Sequence, residues 1–294
     1  MKRDIEKGII LENVNLKRFT SWGIGGNAEF FYWPRDLADL QNFLQTHPKQ
    51  PVTFLGLGSN TLVSDLGVAG TVIITQGALK EMTLVDPHTV RAEAGVSCAQ
   101  VARFAAKNNL VKGEFLAGIP GTVGGALYMN AGAFGGETWE YVSSVETLNS
   151  QGQIQKRMPE EFSVGYRFCK GLAEGEWFVA GYFTFEPGDG KASLEGIKHL
   201  LETRAQTQPT GEPSCGSVFR NPPDNFAAKL IQEAGLKGFT IGGAQISPKH
   251  ANFIINVNEA SAQDILDVVA HIQTTVKEKF AIDLVPEMKF IGRR

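Results

Sequence analysis

The chain has 294 residues, a net charge of −3, 43% hydrophobic content and 20% charged content. That near-neutral balance gives no electrostatic footprint for nucleic acid or an anionic membrane, and the apolar fraction can fill a sizeable core. The length exceeds a typical single core and suggests two or three domains.

Cys98, Cys169 and Cys215 are far apart and in no CxxC spacing. This argues against a disulfide framework or a zinc site and fits a reducing cytosol. The start MKRDIEKGII has no long apolar stretch, and no segment approaches the roughly 18 uninterrupted apolar residues of a membrane helix. A cytoplasmic protein without signal peptide or membrane span is expected.

In chain order, a glycine cluster at Gly23, Gly25 and Gly26 precedes an apolar run that reads as a strand. Pro34-Arg35-Asp36 opens a helix with Leu37, Leu40, Phe43 and Leu44 on one face. The short strand Val52–Leu55 runs into Gly56-Leu57-Gly58-Ser59-Asn60, an arrangement that can cradle phosphate. It is not the dinucleotide fingerprint, because position 61 is Thr61 and more strand, not a helix, follows. Thr89 to Gly95 alternates as a half-buried strand, and Ser97 can cap a helix through Asn108 with Val101, Phe104 and Ala105 inward.

Phe115 to Gly136, FLAGIPGTVGGALYMNAGAFGG, contains glycines at 118, 121, 124, 125, 132, 135 and 136 and no charged side chain. A run of tight turns is one reading. The density favours another, a backbone nest with φ > 0 that forms the wall of a cofactor site, with Thr122 and Asn130 as its polar side chains. Val142 to Leu148 and Phe178 to Phe185 read as strands around a loop holding GYRF. Pro187–Gly190 is the best domain boundary, followed by a helix near 193–205 and the connector TQPTGEPSCGS. Phe226 to Ala234 and a long segment from Ser261 read as helices, and Phe253 to Val257 and Leu284 to Ile291 as strands. The whole order suggests an α+β architecture of separate lobes.

Three side chains stand out. Arg167, in GYRF, offers a planar fork for a carboxylate, or a surface ion pair. Ser217, in CGSVFRNP, lacks a GxSxG context, so a turn hydroxyl is the default. Glu287 sits in the apolar run LVPEMKFIG and either faces solvent with Lys289 or lines a polar site. The five histidines show no metal-binding spacing and read as surface residues, so no metal is expected.

The motifs FTSWGIGGNAEF, GLGSN, AGIPGTVGGALYMNAGAFG, GYRF, GSVFRNP, GLKGFTIGGAQIS and PEMKFIG, in this order, span essentially the whole chain. With them the sequence resembles the UDP-N-acetylenolpyruvoylglucosamine reductase (MurB) family of flavoenzymes in peptidoglycan synthesis, in its compact, type II-like variant. The resemblance implies an FAD-binding region of the vanillyl-alcohol-oxidase (PCMH) type over 1–187, with subdomains of about 1–76 and 77–187, and a substrate-binding α+β domain over 188–294. It implies FAD contacts from Gly56, Gly58, Ser59, Asn60, Gly118, Gly121, Thr122, Gly124, Gly125 and Asn130. NADPH would reduce the flavin, and flavin N5 would then pass hydride to the enolpyruvyl group of the UDP-sugar substrate. Arg167 and a protonated Glu287 would stabilise the enolate and Ser217 would protonate it, with Asn221 and Lys237 holding the substrate. The resemblance further implies a cytoplasmic monomer. A flavin oxidase of the same superfamily is the runner-up, although the glycine loops hold neither His nor Cys for a covalent tether. A non-enzymatic FAD-binding protein is disfavoured by the joint presence of Arg167, Ser217 and Glu287.

Overall fold

The computed structural model describes residues 5–48 and 50–294; Met1–Asp4, the first part of the charged start, lie outside the described residues. The chain divides into two compact units. Unit 1 takes the residues up to Glu12, Phe30–Gly56 and Gly70–Thr203. Unit 2 takes Asn13–Glu29, Leu57–Ala69 and Arg204–Arg294. The helices are α1 (Leu37–Thr46), α2 (Cys98–Lys107), α3 (Val123–Met129), α4 (Gly190–Thr207), α5 (Ala227–Glu233) and α6 (Ala262–Phe280).

The centre of unit 1 is a five-stranded antiparallel sheet in the order Ile154–Arg157, Val142–Asn149, Glu176–Thr184, Thr89–Glu93, Met82–Leu84. Period-2 alternation decides its two faces. Val90, Ala92 and Val145 enter the core with Val101 and Ala105 of α2 and Ala126 and Leu127 of α3. Arg91 takes the other face, where Nε and Nη2 donate to the two Glu146 carboxylate oxygens at 2.9 and 2.6 Å. Burial alone would raise the Glu146 carboxyl, but the Arg91 and Tyr182 hydrogen bonds outweigh it and hold it below the ordinary value. The predicted cap holds: the Ser97 hydroxyl accepts from Gln100 N at the start of α2.

The compact units are not divided by one cut in the sequence, and the last crossing between them falls at Thr203/Arg204. The first turns of α4 belong to unit 1 because Ile197 enters its core and Ser193 Oγ donates to Glu114 Oε1 at 2.6 Å. Nor are the units contiguous in sequence, since 13–29 and 57–69 pack with the C-terminal third.

Unit 2 holds an antiparallel meander of Thr240–Ile241, Ala244–Ile246 and Ile254–Asn256, with α5 and α6 around one core. Trp22 is fully buried there and its Nε1 donates to Ile254 O at 2.7 Å. The start of α6 combines a Ser261–Asp264 capping box with the Asp65 carboxylate, which accepts from the Ala262 and Gln263 amides at 2.9 and 3.1 Å. The expected last strand is shorter than Leu284–Ile291. Only Lys289–Ile291 is regular, paired in parallel with Thr61–Val63, and Pro286 makes an isolated bridge to Phe219. A proline cannot donate to a ladder, so the regular pairing starts beyond it. Likewise the segment around Ser217 is held by bridges, Ser214 to Ile255 and Phe219 to Pro286, and forms no strand of its own.

Candidate active site

The stretch from Phe115 to Gly136 is more regular than a nest of turns. A 3-10 turn at Glu114–Gly118 leads to α3, and Gly132–Ala133 then pairs with Gly136–Glu137. Positive φ within it occurs at Asn130 (44°), Phe134 (52°) and Gly135 (87°), so six of the seven glycines serve something other than a left-handed turn. Gly124 and Gly125, in the first turn of α3, separate two causes. A Cβ on Gly124 would lie 2.9 Å from Ala94 Cβ, so the unit's own packing demands glycine there. A Cβ on Gly125 would meet nothing closer than Thr122 Oγ1 at 3.8 Å, and the residue is exposed. Glycine in a helix costs about 0.5–1 kcal/mol relative to alanine, and no neighbouring atom in the protein calls for it at 125.

Gly118 is buried, and Gly121 directly precedes Thr122. Thr122 is buried and caps α3, but its hydroxyl makes no capping hydrogen bond. Gly56 lies against it: a Cβ there would stand 2.4 Å from Thr122 Oγ1. The first glycine of GLGSN and the glycine-rich stretch are therefore neighbours within unit 1. The rest of that motif belongs to unit 2. Gly58 takes φ +60°, and a Cβ would stand 2.3 Å from Phe19 O. Ser59 is half-buried beside it, and Asn60 Nδ2 donates to Glu287 O at 3.2 Å while Asn60 O accepts from Lys289 N at 2.9 Å.

Arg167 occupies the turn of a hairpin in unit 1 whose strands are Ser163–Gly165 and Phe168–Lys170, with Gly165 opposite Phe168. Its φ of +61° is a left-handed conformation in a two-residue turn where glycine is the easy choice, a strain that costs of order 1–3 kcal/mol. Nη2 donates to Gly132 O at 3.0 Å and Nη1 to Asn130 O at 3.5 Å. Arg157 ties the base of the same loop: Nε donates to Glu161, and Nη1 to Gly171 O and Glu176 at 2.9 to 3.1 Å. Asn130, expected among the cofactor contacts, is 2% exposed and turns its side chain into the unit. Nδ2 donates to Glu137 Oε2 at 2.8 Å and to Gly165 O at 3.1 Å, and Oδ1 accepts from Trp139 N at 3.1 Å.

Unit 2 brings Ser217 and Glu287 onto one bridged segment. Glu287 N donates to Val218 O at 2.7 Å, and Arg220 N donates to Val285 O at 3.0 Å. Both residues are half-buried. The pin behind them is Asn252, 4% exposed, which the sequence did not single out. Its Oδ1 accepts from Phe219 N at 3.0 Å, its Nδ2 donates to Phe219 O at 2.8 Å, and its own carbonyl accepts from Val218 N at 2.8 Å. The only hint in the sequence is an amide side chain opening the apolar run NFII. Cys215 is buried, and burial with the nearby Glu287 charge pushes its thiol far above the ordinary value, so it packs and does not react.

The remaining candidates take other partners. Asn221 Oδ1 accepts from Ala227 N at 3.1 Å at the start of α5, and exposed Lys237 reaches Gln232 Oε1 at 3.4 Å. His250 departs from the surface reading: it is half-buried against Phe253, and burial together with Lys237 lowers its imidazole below the ordinary value. Among the described residues, no group of three or more His, Cys, Asp or Glu side chains could hold a metal ion, and no helix is long and apolar enough to cross a membrane. Arg167 thus stands in unit 1, and Ser217, Glu287 and Asn60 in unit 2.

Two family models match the chain. An FAD binding domain covers residues 28–157, and the C-terminal domain of UDP-N-acetylenolpyruvoylglucosamine reductase covers residues 208–291. The chain is 53% identical to the UDP-N-acetylenolpyruvoylglucosamine reductase of Legionella pneumophila (strain Paris), over 97% of this chain and 95% of that protein. It is 54% identical to the protein of the same name from Methylococcus capsulatus, over 97% of this chain and 94% of that one. Among solved structures it is similar to the UDP-N-acetylenolpyruvylglucosamine reductase of Thermus caldophilus, with a TM-score of 0.81 and 32% identity, over 97% of this chain and all of that one.

Proposed function

The chain belongs to the UDP-N-acetylenolpyruvoylglucosamine reductase family, an α+β flavoenzyme of peptidoglycan synthesis, and from that premise we propose that it reduces the enolpyruvyl group of UDP-N-acetylglucosamine enolpyruvate to UDP-N-acetylmuramate with NADPH as donor. It is an oxidoreductase with an FAD-binding domain. We assign FAD to the 1–187 region and the sugar nucleotide chiefly to 188–294, in a monomeric cytoplasmic enzyme.

The residues present fit FAD. Gly125 is a glycine that the protein's own packing does not require, at an exposed position where a Cβ would meet nothing closer than Thr122 Oγ1 at 3.8 Å. Gly56 and Thr122 meet beside it, and Thr122 keeps its hydroxyl out of the helix cap. Gly56, Gly58, Ser59, Asn60, Gly118, Gly121, Thr122, Gly124 and Gly125 are the residues we assign to holding the cofactor. FAD, when bound, supplies hydride transfer from NADPH to the enolpyruvyl double bond.

This chain's own residues would handle the charge and the proton. As hydride reaches the terminal vinyl carbon, negative charge builds on the adjacent carbon and its carboxylate. The Arg167 guanidinium would stabilise that charge as a planar double donor. Glu287, protonated, would donate rather than repel. Ser217 Oγ would deliver the proton to the α-carbon, completing addition of one hydride and one proton across the double bond. Asn221 and Lys237 would contact the sugar nucleotide.

The observation that supports this reading is the Val218–Glu287 hydrogen bond with its Phe219–Pro286 bridge, which joins the Ser217 and Glu287 segments of the backbone. Anaerobic titration tests it. NADPH should bleach the flavin, and the enolpyruvyl sugar nucleotide should restore the colour. Bleaching that only oxygen reverses would overturn the substrate assignment.

A further inference from the structure

We propose that Asn130 is a positioning residue for Arg167, joining the cofactor wall to the hairpin that carries the arginine. The inference rests on the reading of Arg167 as the group that stabilises the substrate's developing charge.

Asn130 follows α3 directly as its left-handed C-cap, with φ 44° and ψ 54°. Asparagine tolerates that conformation better than most residues. Its side chain then does what glycine cannot. One amide hydrogen goes to Glu137 Oε2 at 2.8 Å and the other to Gly165 O at 3.1 Å, two residues before Arg167, while Oδ1 takes Trp139 N. The same left-handed turn places two main-chain carbonyls against the guanidinium, Asn130 O at 3.5 Å from Nη1 and Gly132 O at 3.0 Å from Nη2. Gly132 is small for this purpose: a Cβ there would lie 3.1 Å from Nη1 and 2.5 Å from Gly136 O. One residue therefore grips the hairpin twice, at the strand through its amide and at the guanidinium through its carbonyl.

The grip matters because the Arg167 turn is intrinsically strained. A left-handed arginine persists only where its surroundings over-determine it. Hydrogen bonds within the hairpin fix its strands, and of the pairings of Gly165 and Arg167 with Asn130 and Gly132 that join it to the residues after α3, Asn130 supplies two. Aspartate at 130 keeps the backbone conformation and nearly the same shape but has no amide hydrogens, and it would face Glu137 with like charge. Glycine keeps the turn and removes the side chain altogether.

The test uses the holoenzymes of Asn130→Asp, Asn130→Gly, Arg167→Ala and the Asn130→Asp/Arg167→Ala double variant. The two half-reactions are followed separately by stopped flow. Asn130→Asp should bind FAD and be bleached by NADPH within about twofold of the parent, while reoxidation by the enolpyruvyl sugar nucleotide slows about 10- to 100-fold, the scale of a displaced catalytic group. Arg167→Ala should slow reoxidation further, and adding Asn130→Asp to it should change nothing more. Asn130→Gly should show the same split, with faster amide exchange in residues 163–170 and unchanged exchange in residues 142–149. Parent-like reoxidation in both Asn130 variants, or losses that multiply in the double variant, would overturn the inference. So would loss of FAD from the Asn130 variants, which would instead make Asn130 a cofactor contact. Parent-like reoxidation by Arg167→Ala alone would sink the reading of Arg167 and the inference with it.

Discussion

In unit 1 the residues assigned to the cofactor are mostly backbone: glycines whose missing Cβ atoms let main chain, helix and threonine pack at short range. In unit 2 the residues assigned to proton delivery hang on a side chain, Asn252, which pairs with both main-chain groups of Phe219. The contrast follows from what each part would hold under the proposed assignment. A large planar cofactor needs a wall without protrusions, which composition can provide over many residues. A single hydroxyl next to a single carboxyl needs a fixed register, and one buried amide that satisfies a donor and an acceptor together provides it.

The contrast can be broken most decisively at the hydroxyl. Ser217→Ala should leave bleaching by NADPH intact and cut reoxidation by substrate by about 10²–10⁴-fold, the range for a positioned acid. Turnover near the parent's would remove Ser217 from the chemistry. One step down, Asn252→Ala leaves Phe219 N–H and C=O buried without their partner, at about 1–3 kcal/mol for each unpaired group. A melting temperature that barely moves would mean the pin is redundant.

The glycine pair sharpens the other side of the comparison. Gly124→Ala should lower the melting temperature by overpacking against Ala94, at about 1–3 kcal/mol. Gly125→Ala should leave the apoprotein as stable or about 0.5–1 kcal/mol more so, since it improves a helix at an open position. The same change should release FAD more readily, as fluorescence of freed flavin would report. Equal or tighter retention would mean that Gly125 does not face the cofactor.

The smallest effect lies at the start of α6. Backbone hydrogen bonds from Ser261 and Gly243 hold the Asp264 carboxyl below its ordinary value near 3.8. A carboxyl depressed in the folded state stabilises above the ordinary value, and that contribution is lost as pH falls through the folded one. Asp264→Asn should therefore lower the melting temperature modestly at neutral pH, with the difference from the parent closing as pH falls below about 4. An unchanged acid limb would exclude a contribution from this cap.

Much of this was legible in the sequence. Asp36, Ser97 and Ser261 start helices where local capping chemistry puts them, because a side chain and an amide three residues on suffice. The glycine stretch reads as a cofactor wall from density alone, and the family resemblance agrees with the relatives found. What the sequence misjudged was the reason for the glycines, since close contact and positive φ look alike in one-letter code. The last strand was overdrawn because Leu284 to Ile291 is mostly apolar around Glu287 and Lys289, while Pro286 interrupts its hydrogen bonding. Asn252 and the shared unit of 13–29, 57–69 and 204–294 were not legible, because both depend on partners far away in the chain.

The parallel pairing of Thr61–Val63 with Lys289–Ile291, and the Asn60–Glu287 hydrogen bond across 227 positions, set the order in which the molecule can assemble. During synthesis, residues 57–69 emerge early and cannot complete their pairing until residues 289–291 are made. Meanwhile all the strands of the five-stranded sheet have already emerged. Long-range closures of this kind are slow, and a chain made from the N-terminus lets nearer contacts form first. Unit 2 therefore cannot close fully before residues 289–291 are made, and the Ser217–Glu287 segment cannot form before residue 287 is made, so a chain that stops short of it would not display the proposed acid pair.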